Sequence, residues 1–155
     1  MDKKDMLIMS HLRQNARMKL AKMSKLTGIP ISTIFDRIKA NEGRILEKYT
    51  VVLDYNQMGY SARINVILKL GKNDKEKITG FLERHPNVNS LHKINNGYDL
   101  LIDAVFRHVK DSEGFIENLE ENFVIKSKEI FYIIDSLKKE DFLNCQEHVE
   151  YLINS

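Results

Sequence analysis

Between Ala62 and Leu70 the chain alternates without a break: Ala62, Ile64, Val66, Leu68 and Leu70 are apolar, with Arg63, Asn65, Ile67 and Lys69 between them. A period of two places the first set on one side of a β-strand, so this segment is a strand with one buried face and needs a sheet around it. The following residues supply one. Ile78, Phe81 and Leu82 form the apolar stripe of a helix, with Asp74 placed to cap it and Pro86 to end it. Val88 to Ile94 and Asp99 to Phe106 read as two strands, joined through Asn95-Asn96-Gly97-Tyr98, whose Asn-Gly step signals a hairpin. Asp111-Ser112 opens a second helix carrying Phe115, Ile116 and Leu119, and Glu129 to Leu137 reads as a fourth strand. The order βαββαβ predicts a ferredoxin-like α+β domain over residues 60–137, with both helices on one face of a four-stranded antiparallel sheet.

The face without helices needs cover. Ile130, Phe131, Tyr132, Ile133 and Ile134 are consecutive, so both sides of the fourth strand are apolar, and the open face is expected to meet a second subunit. The other candidate cover is a terminal helix from Glu140 to Ile153, within residues 138–155, carrying Phe142, Cys145, Val149 and Leu152.

Residues 1–54 follow a helical period instead. Asp5, Ile8, Met9 and Leu12 share one face of a first helix, Lys3 to Arg13; Leu20, Met23, Ser24 and Leu26 belong to a second, Met18 to Thr27, stopped by Gly28. After Pro30 the pattern restarts with Ile31, Ile34, Phe35 and Ile38, expected to face inward. Two short helices around a glycine-containing turn form a helix-turn-helix, whose second member enters the major groove of DNA. Ser32, Thr33, Asp36, Arg37 and Lys39 are then the candidate DNA-binding residues. Ser32 and Thr33, at the helix start, suit phosphate, and Arg37 suits phosphate or guanine. From Arg44 to Tyr55 β-branched and aromatic residues dominate, predicting a small wing or linking strand, and Asn56-Gln57-Met58-Gly59 marks a break before the second domain.

Charge follows the same division. The net charge is only +2, but residues 1–54 hold 11 Lys or Arg against 6 Asp or Glu, whereas residues 55–155 hold 13 against 16. The basic excess lies on the segment expected to meet DNA.

Other chemistries find no support. A single cysteine, Cys145, excludes an internal disulfide, and the five histidines include no pair at metal-ligand spacing. Gly71-Lys72 lacks the rest of a phosphate-binding loop, and there is no Gly-x-Ser-x-Gly nucleophile elbow. No catalytic, metal or cofactor site is expected. No apolar run approaches the roughly 20 residues of a membrane span, and Met1-Asp2-Lys3-Lys4-Asp5 is not the start of a signal peptide, so a cytoplasmic protein without membrane association is expected.

Taken in order, Asp5 with Ile8 and Leu12, Asn15-Ala16-Arg17, Leu26-Thr27-Gly28-Ile29, Ser32-Thr33-Ile34 and Arg37-Ile38 resemble the Lrp/AsnC family, the leucine-responsive or feast/famine transcription regulators. Tyr49, Leu53-Asp54, Met58-Gly59-Tyr60, His85-Pro86-Asn87-Val88 and Asp99-Leu100-Leu101 extend the likeness to about Leu137. The resemblance implies a homodimer built on the ferredoxin-like domain, assembled further into tetramers or octamers, with an amino-acid effector bound between those domains. It places the effector near Asn95, Asn96, Gly97 and Asp99, where the family's glycine of a Gly-x-x-Asp pattern falls on Asn96. Two further readings use the same fold: an architectural protein that packages DNA with little sequence preference, and an enzyme related to sirohaem decarboxylase, whose aromatic and histidine-containing strand pattern is not found here.

Overall fold

The computed structural model describes residues 2–154. The chain forms two compact units, one of Met1–Val52 with Leu137–Ser155, the other of Leu53–Ser136.

The first unit opens with α1 (Lys3–Gln14), capped by the Asp2 carboxylate, which accepts the Asp5 N–H at 2.8 Å. α2 (Leu20–Thr27) ends at Gly28, whose φ of 70° is the left-handed conformation that lets the chain turn sharply into α3 (Ile31–Asn41). Thr27 closes the same turn, donating its hydroxyl to the Met23 carbonyl and accepting the Ile29 N–H. Ile8, Met9, Leu12, Met23, Ile29 and Ile34 are buried together at the centre of the three helices.

The expected strand over 44–55 forms no ladder among the described residues. Glu42 and Leu46 make a single bridge, the Leu46 N–H donates to the Asn41 carbonyl, and residues 47–54 run on exposed. The β-branched residues Val51 and Val52 find no neighbouring backbone in one chain, and strand propensity without a partner makes no strand.

The end of the chain also corrects the sequence reading. The terminal helix is short, α6 (Gln146–Asn154), and it packs on α1 within the first unit. Leu143 and Val149 join the core cluster of the first unit. Asp141, Leu143 and Asn144 precede the helix in an irregular segment in which Glu140 and Leu143 both have positive φ, 46° and 56°. Cys145 is a free, half-buried thiol.

The second unit has the predicted βαββαβ order: β1 (Ala62–Leu70), α4 (Lys75–Arg84), β2 (Val88–Lys93), β3 (Leu100–Phe106), α5 (Val109–Asn122) and β4 (Ile125–Tyr132). The sheet order is β2-β3-β1-β4, all antiparallel. Ile64, Val66 and Leu68 pack with Ile102 and Ala104 against Ile78 and Leu82 of α4 and Phe115, Ile116 and Leu119 of α5, so both helices cover one face. Asp74 leaves α4 uncapped by its side chain and accepts the Val124 N–H at 3.0 Å instead.

β4 begins four residues earlier than its apolar run suggested and ends at Tyr132. It is an edge strand whose pairing with β1 runs from Leu70↔Ile125 to Ile64↔Tyr132, so its charged residues Lys128 and Glu129 belong to the ladder and Lys126 sits at a bulge in it. Charges on an edge strand discourage further strand addition. Ile134 lies beyond the strand, 98% exposed.

The opposite face is open. It carries Ile67, Leu101, Val105 and Phe131 beside a polar network in which Arg63 donates to both Asp103 oxygens, at 2.7 and 3.0 Å, and Asn89 donates to Asp103 at 2.6 Å. Paired in this way, the half-buried Arg63 is held charged, its pKa raised by its hydrogen bonds to Asp103.

Candidate nucleic-acid interface and effector turn

α3 is held by Ile34, which is wholly buried, and by the partly buried Ile38. Ile31 and Phe35, expected to face inward, are instead 48% and 52% exposed. Offsets of 0, 3, 4 and 7 span a broad stripe, and the three-helix core is only wide enough to take its middle. The solvent face consequently combines Ser32, Asp36 and Lys39, at i, i+4 and i+7, with Phe35, over whose ring the Lys39 ammonium lies at 5.9 Å.

Thr33 and Arg37 lie on the flank of α3 and are half-buried. Arg37 turns toward the start of α1, donating to the Asp2 and Asp5 carboxylates at 2.7 and 2.8 Å. These bonds raise the Arg37 pKa, and the Asp5 N–H followed by Arg37 hold the Asp2 carboxyl below its ordinary value. Of the five residues singled out in the sequence, three share the exposed face, Thr33 borders it, and Arg37 is engaged in tying α3 to α1. Phe35 is the addition. Its apolar ring between a hydroxyl and an ammonium can touch a thymine methyl while its neighbours reach base edges or phosphate.

In the second unit the β2–β3 turn is tight. Asn96 and Gly97 have φ of 61° and 86°, so Asn96 adopts the left-handed backbone for which its short polar side chain is suited. Asp99 leaves the turn to line a cleft of about 440 Å³ with Lys75, Glu76, Glu83 and Lys93; Asn95, Asn96 and Gly97 do not line it. One Asp99 oxygen accepts the Leu70 N–H at 2.8 Å, and the other pairs with the Lys75 ammonium. Lys75, and then the Leu70 N–H, hold its carboxyl below the usual carboxylate value. These contacts contribute stability above that ordinary value and are lost as pH falls through the lowered one.

A family model described as winged helix-turn-helix DNA-binding matches residues 1–40. The HTH-type transcriptional regulator FL11 of Pyrococcus horikoshii is 24% identical over 118 residues, 76% of this chain and 78% of that protein. The HTH-type transcriptional regulator YezC of Bacillus subtilis is 24% identical over 118 residues, covering 76% and 84%. Among solved structures, Escherichia coli AsnC superposes with a TM-score of 0.79 at 20% identity, over 90% of this chain and 95% of that one. The chain has the fold of AsnC. A second solved structure, the Neisseria meningitidis regulator NMB0573 in complex with L-Met, superposes with a TM-score of 0.82 at 18% identity, over 90% and 93% of the two chains. Both units of the chain, the helix-turn-helix and the four-stranded domain, therefore lie within the aligned fold.

Proposed function

We propose that this protein is a DNA-binding transcription regulator that acts in the cytoplasm as a dimer or larger homo-oligomer and answers to an amino acid or similar small molecule. The exposed face of α3 carries the proposal. Ser32, Phe35, Asp36 and Lys39 project from a helix whose other side is anchored by Ile34, as a helix must be to enter a major groove without unfolding. Lys39 and Ser32 suit phosphate, Asp36 can accept from a cytosine amino group, and Arg37 orients the helix through Asp2 and Asp5. No catalytic role is assigned. Among the described residues no group of His, Cys, Asp and Glu could hold a metal, and no helix is long and apolar enough to cross a membrane.

The open sheet face, with Ile67, Leu101 and Phe131, supports association about a twofold axis, which would present two α3 helices to successive turns of DNA. The Asp99 cleft supports an effector site. Its carboxylate can take an ammonium group in exchange for Lys75, and both signs of charge stand around it.

Affinity for the protein's own upstream region and for random DNA of equal length, measured at one salt concentration, tests the first part. Lys39→Ala is expected to weaken both and lower the salt slope by about one, whereas Asp36→Ala is expected to change the preference between sequences by about 1–3 kcal/mol. Equal affinity for every sequence would identify a packaging protein, and no binding to either DNA would remove the reading. For the effector, calorimetric titration with the proteinogenic amino acids is expected to find a ligand whose binding is lost in Asp99→Ala. Absence of any ligand, or binding indifferent to that substitution, would remove the cleft as a sensor.

A further inference from the structure

The second unit has another cleft, of about 530 Å³, which shares no residue with the Asp99 turn. It lies where β3 ends and α5 begins. Tyr60, His85, Phe106 and Phe115 form its walls, with Phe115 meeting the Phe106 ring at 5.3 Å and His85 edge-on at 4.8 Å. His85 is fixed: its Nδ1 accepts the Asn87 N–H at 3.2 Å, and burial lowers its pKa, which favours the neutral ring. The wall is therefore aromatic, with the Asn87 and Asn118 amides beside the rings.

The rim carries one charge of each sign, Arg107 and Asp111. The Arg107 guanidinium lies 5.5 Å from the centre of the Tyr60 ring, and none of the ion pairs among the described residues includes it. The Asp111 carboxylate is occupied by the cap of α5, where it accepts the His108 N–H at 3.1 Å. One free guanidinium beside one engaged carboxylate suits a monoanion and disfavours a phosphate dianion. Gly114 supplies a second, independent observation. It sits inside α5, where glycine costs about 1 kcal/mol relative to alanine. Its backbone is not left-handed, and a Cβ there would meet nothing within 4 Å, so neither turn geometry nor tight packing calls for glycine. Its effect is to leave the cleft open.

We propose that this cleft binds a small planar aromatic carboxylate, the ring against Tyr60, His85 and Phe115 and the carboxylate on Arg107. The volume falls in the range of small-molecule sites, and a charge-assisted bond at an aromatic-walled rim fixes orientation. Saturation-transfer NMR on the full chain, with indole-3-acetate and benzoate as probes at millimolar concentration and neutral indole-3-acetamide as control, tests it. Transfer to the aromatic protons of at least one carboxylate is expected, with weaker binding of the amide. Arg107→Gln is expected to weaken binding about tenfold or more, as loss of a charge-assisted hydrogen bond does. Gly114→Leu, which keeps a strong helix former in α5, is expected to abolish it by filling the space. Asp99→Ala is expected to leave binding unchanged, which separates this cleft from the effector turn. No transfer from either carboxylate, equal binding of the amide, undiminished binding in either folded variant, or loss in Asp99→Ala would overturn the proposal.

Discussion

Removal of residues 137–155 is expected to unfold the helix-turn-helix while leaving the four-stranded unit intact. Leu143 and Val149 are buried beside Ile8, Met9 and Leu12, and Leu152 packs against the same cluster. Burying such side chains stabilises by about 1.5–3 kcal/mol each, so losing them removes roughly 5 kcal/mol, against total stabilities of about 5–15 kcal/mol for whole domains. The first 52 residues alone are also near the size at which a single core becomes marginal. Polar contacts add to this. Arg13 donates to the Glu140 carbonyl at 2.6 Å and to its carboxylate at 3.3 Å, holding the segment in which Glu140 and Leu143 take left-handed backbone conformations that cost about 1–3 kcal/mol each. Amide hydrogen exchange resolved by segment is the measurement. Protection of α1, α2 and α3 should fall to that of an unfolded chain and protection of β1 and β3 should persist; unchanged protection in the three helices would show that the terminal segment is dispensable. Val149→Ala in the full chain is a milder form of the same experiment, expected to cost about 2 kcal/mol through the cavity it leaves.

The terminal contact was not legible in the sequence because nothing local encodes it. The apolar residues Leu143 and Val149 announce that something is buried, but their partners Ile8 and Leu12 lie some 130 residues away. The strand Ala62–Leu70 is the opposite case. Its alternation determines which side chains face the helices, and a slip of one residue would expose the whole set, so pattern and structure agree to the residue. β4 shows where apolar content misleads. Ile130 to Ile134 drew the strand toward its C-terminal end, yet the ladder is set by pairing with β1 and takes in Lys128, whose ammonium pairs with Glu120, and Glu129, which stays exposed. Hydrophobicity identified the element, and backbone pairing set its limits.

The same distinction applies to α3. The sequence located α3 and the polar positions on it, because Gly28 and the period around Ile34 are local signals. It did not reveal that Arg37 is already paired. Asp2 and Asp5 stand three apart, one at the cap and one in the first turn of α1, a spacing that puts both carboxylates on the same side. That spacing was the available clue, but only the packing of α1 on α3 turns it toward Arg37. Phe35 was misplaced for a related reason: an aromatic at an apolar position is ordinarily core, and its exposure follows from the narrowness of a three-helix core.

Phe131→Glu is expected to convert the protein to monomers and to reduce its affinity for DNA about 10²- to 10⁴-fold. Phe131 pairs with Asn65 across the β4–β1 ladder, which puts it on the open face, away from the core beneath Ile64 and Val66. It is 48% exposed in the single chain, so glutamate there leaves the fold of one subunit undisturbed. In the proposed dimer the same carboxylate would be buried near Glu129, also on the open face, and across from the Asp103 network, whose Arg63 is already committed to both oxygens of Asp103. Burying an unpaired charge costs several kcal/mol, enough to dissociate a moderate interface. The loss of DNA affinity then follows without any change in α3. Two reading helices on one dimer bind the second half-site intramolecularly, and that gain, typically 10²- to 10⁴-fold, disappears when each helix binds alone. Sedimentation velocity gives the first reading and a DNA titration at fixed salt the second. A variant that remains dimeric would move the subunit contact away from the open sheet face, and a monomer that keeps full affinity would show that a single α3 is sufficient for recognition.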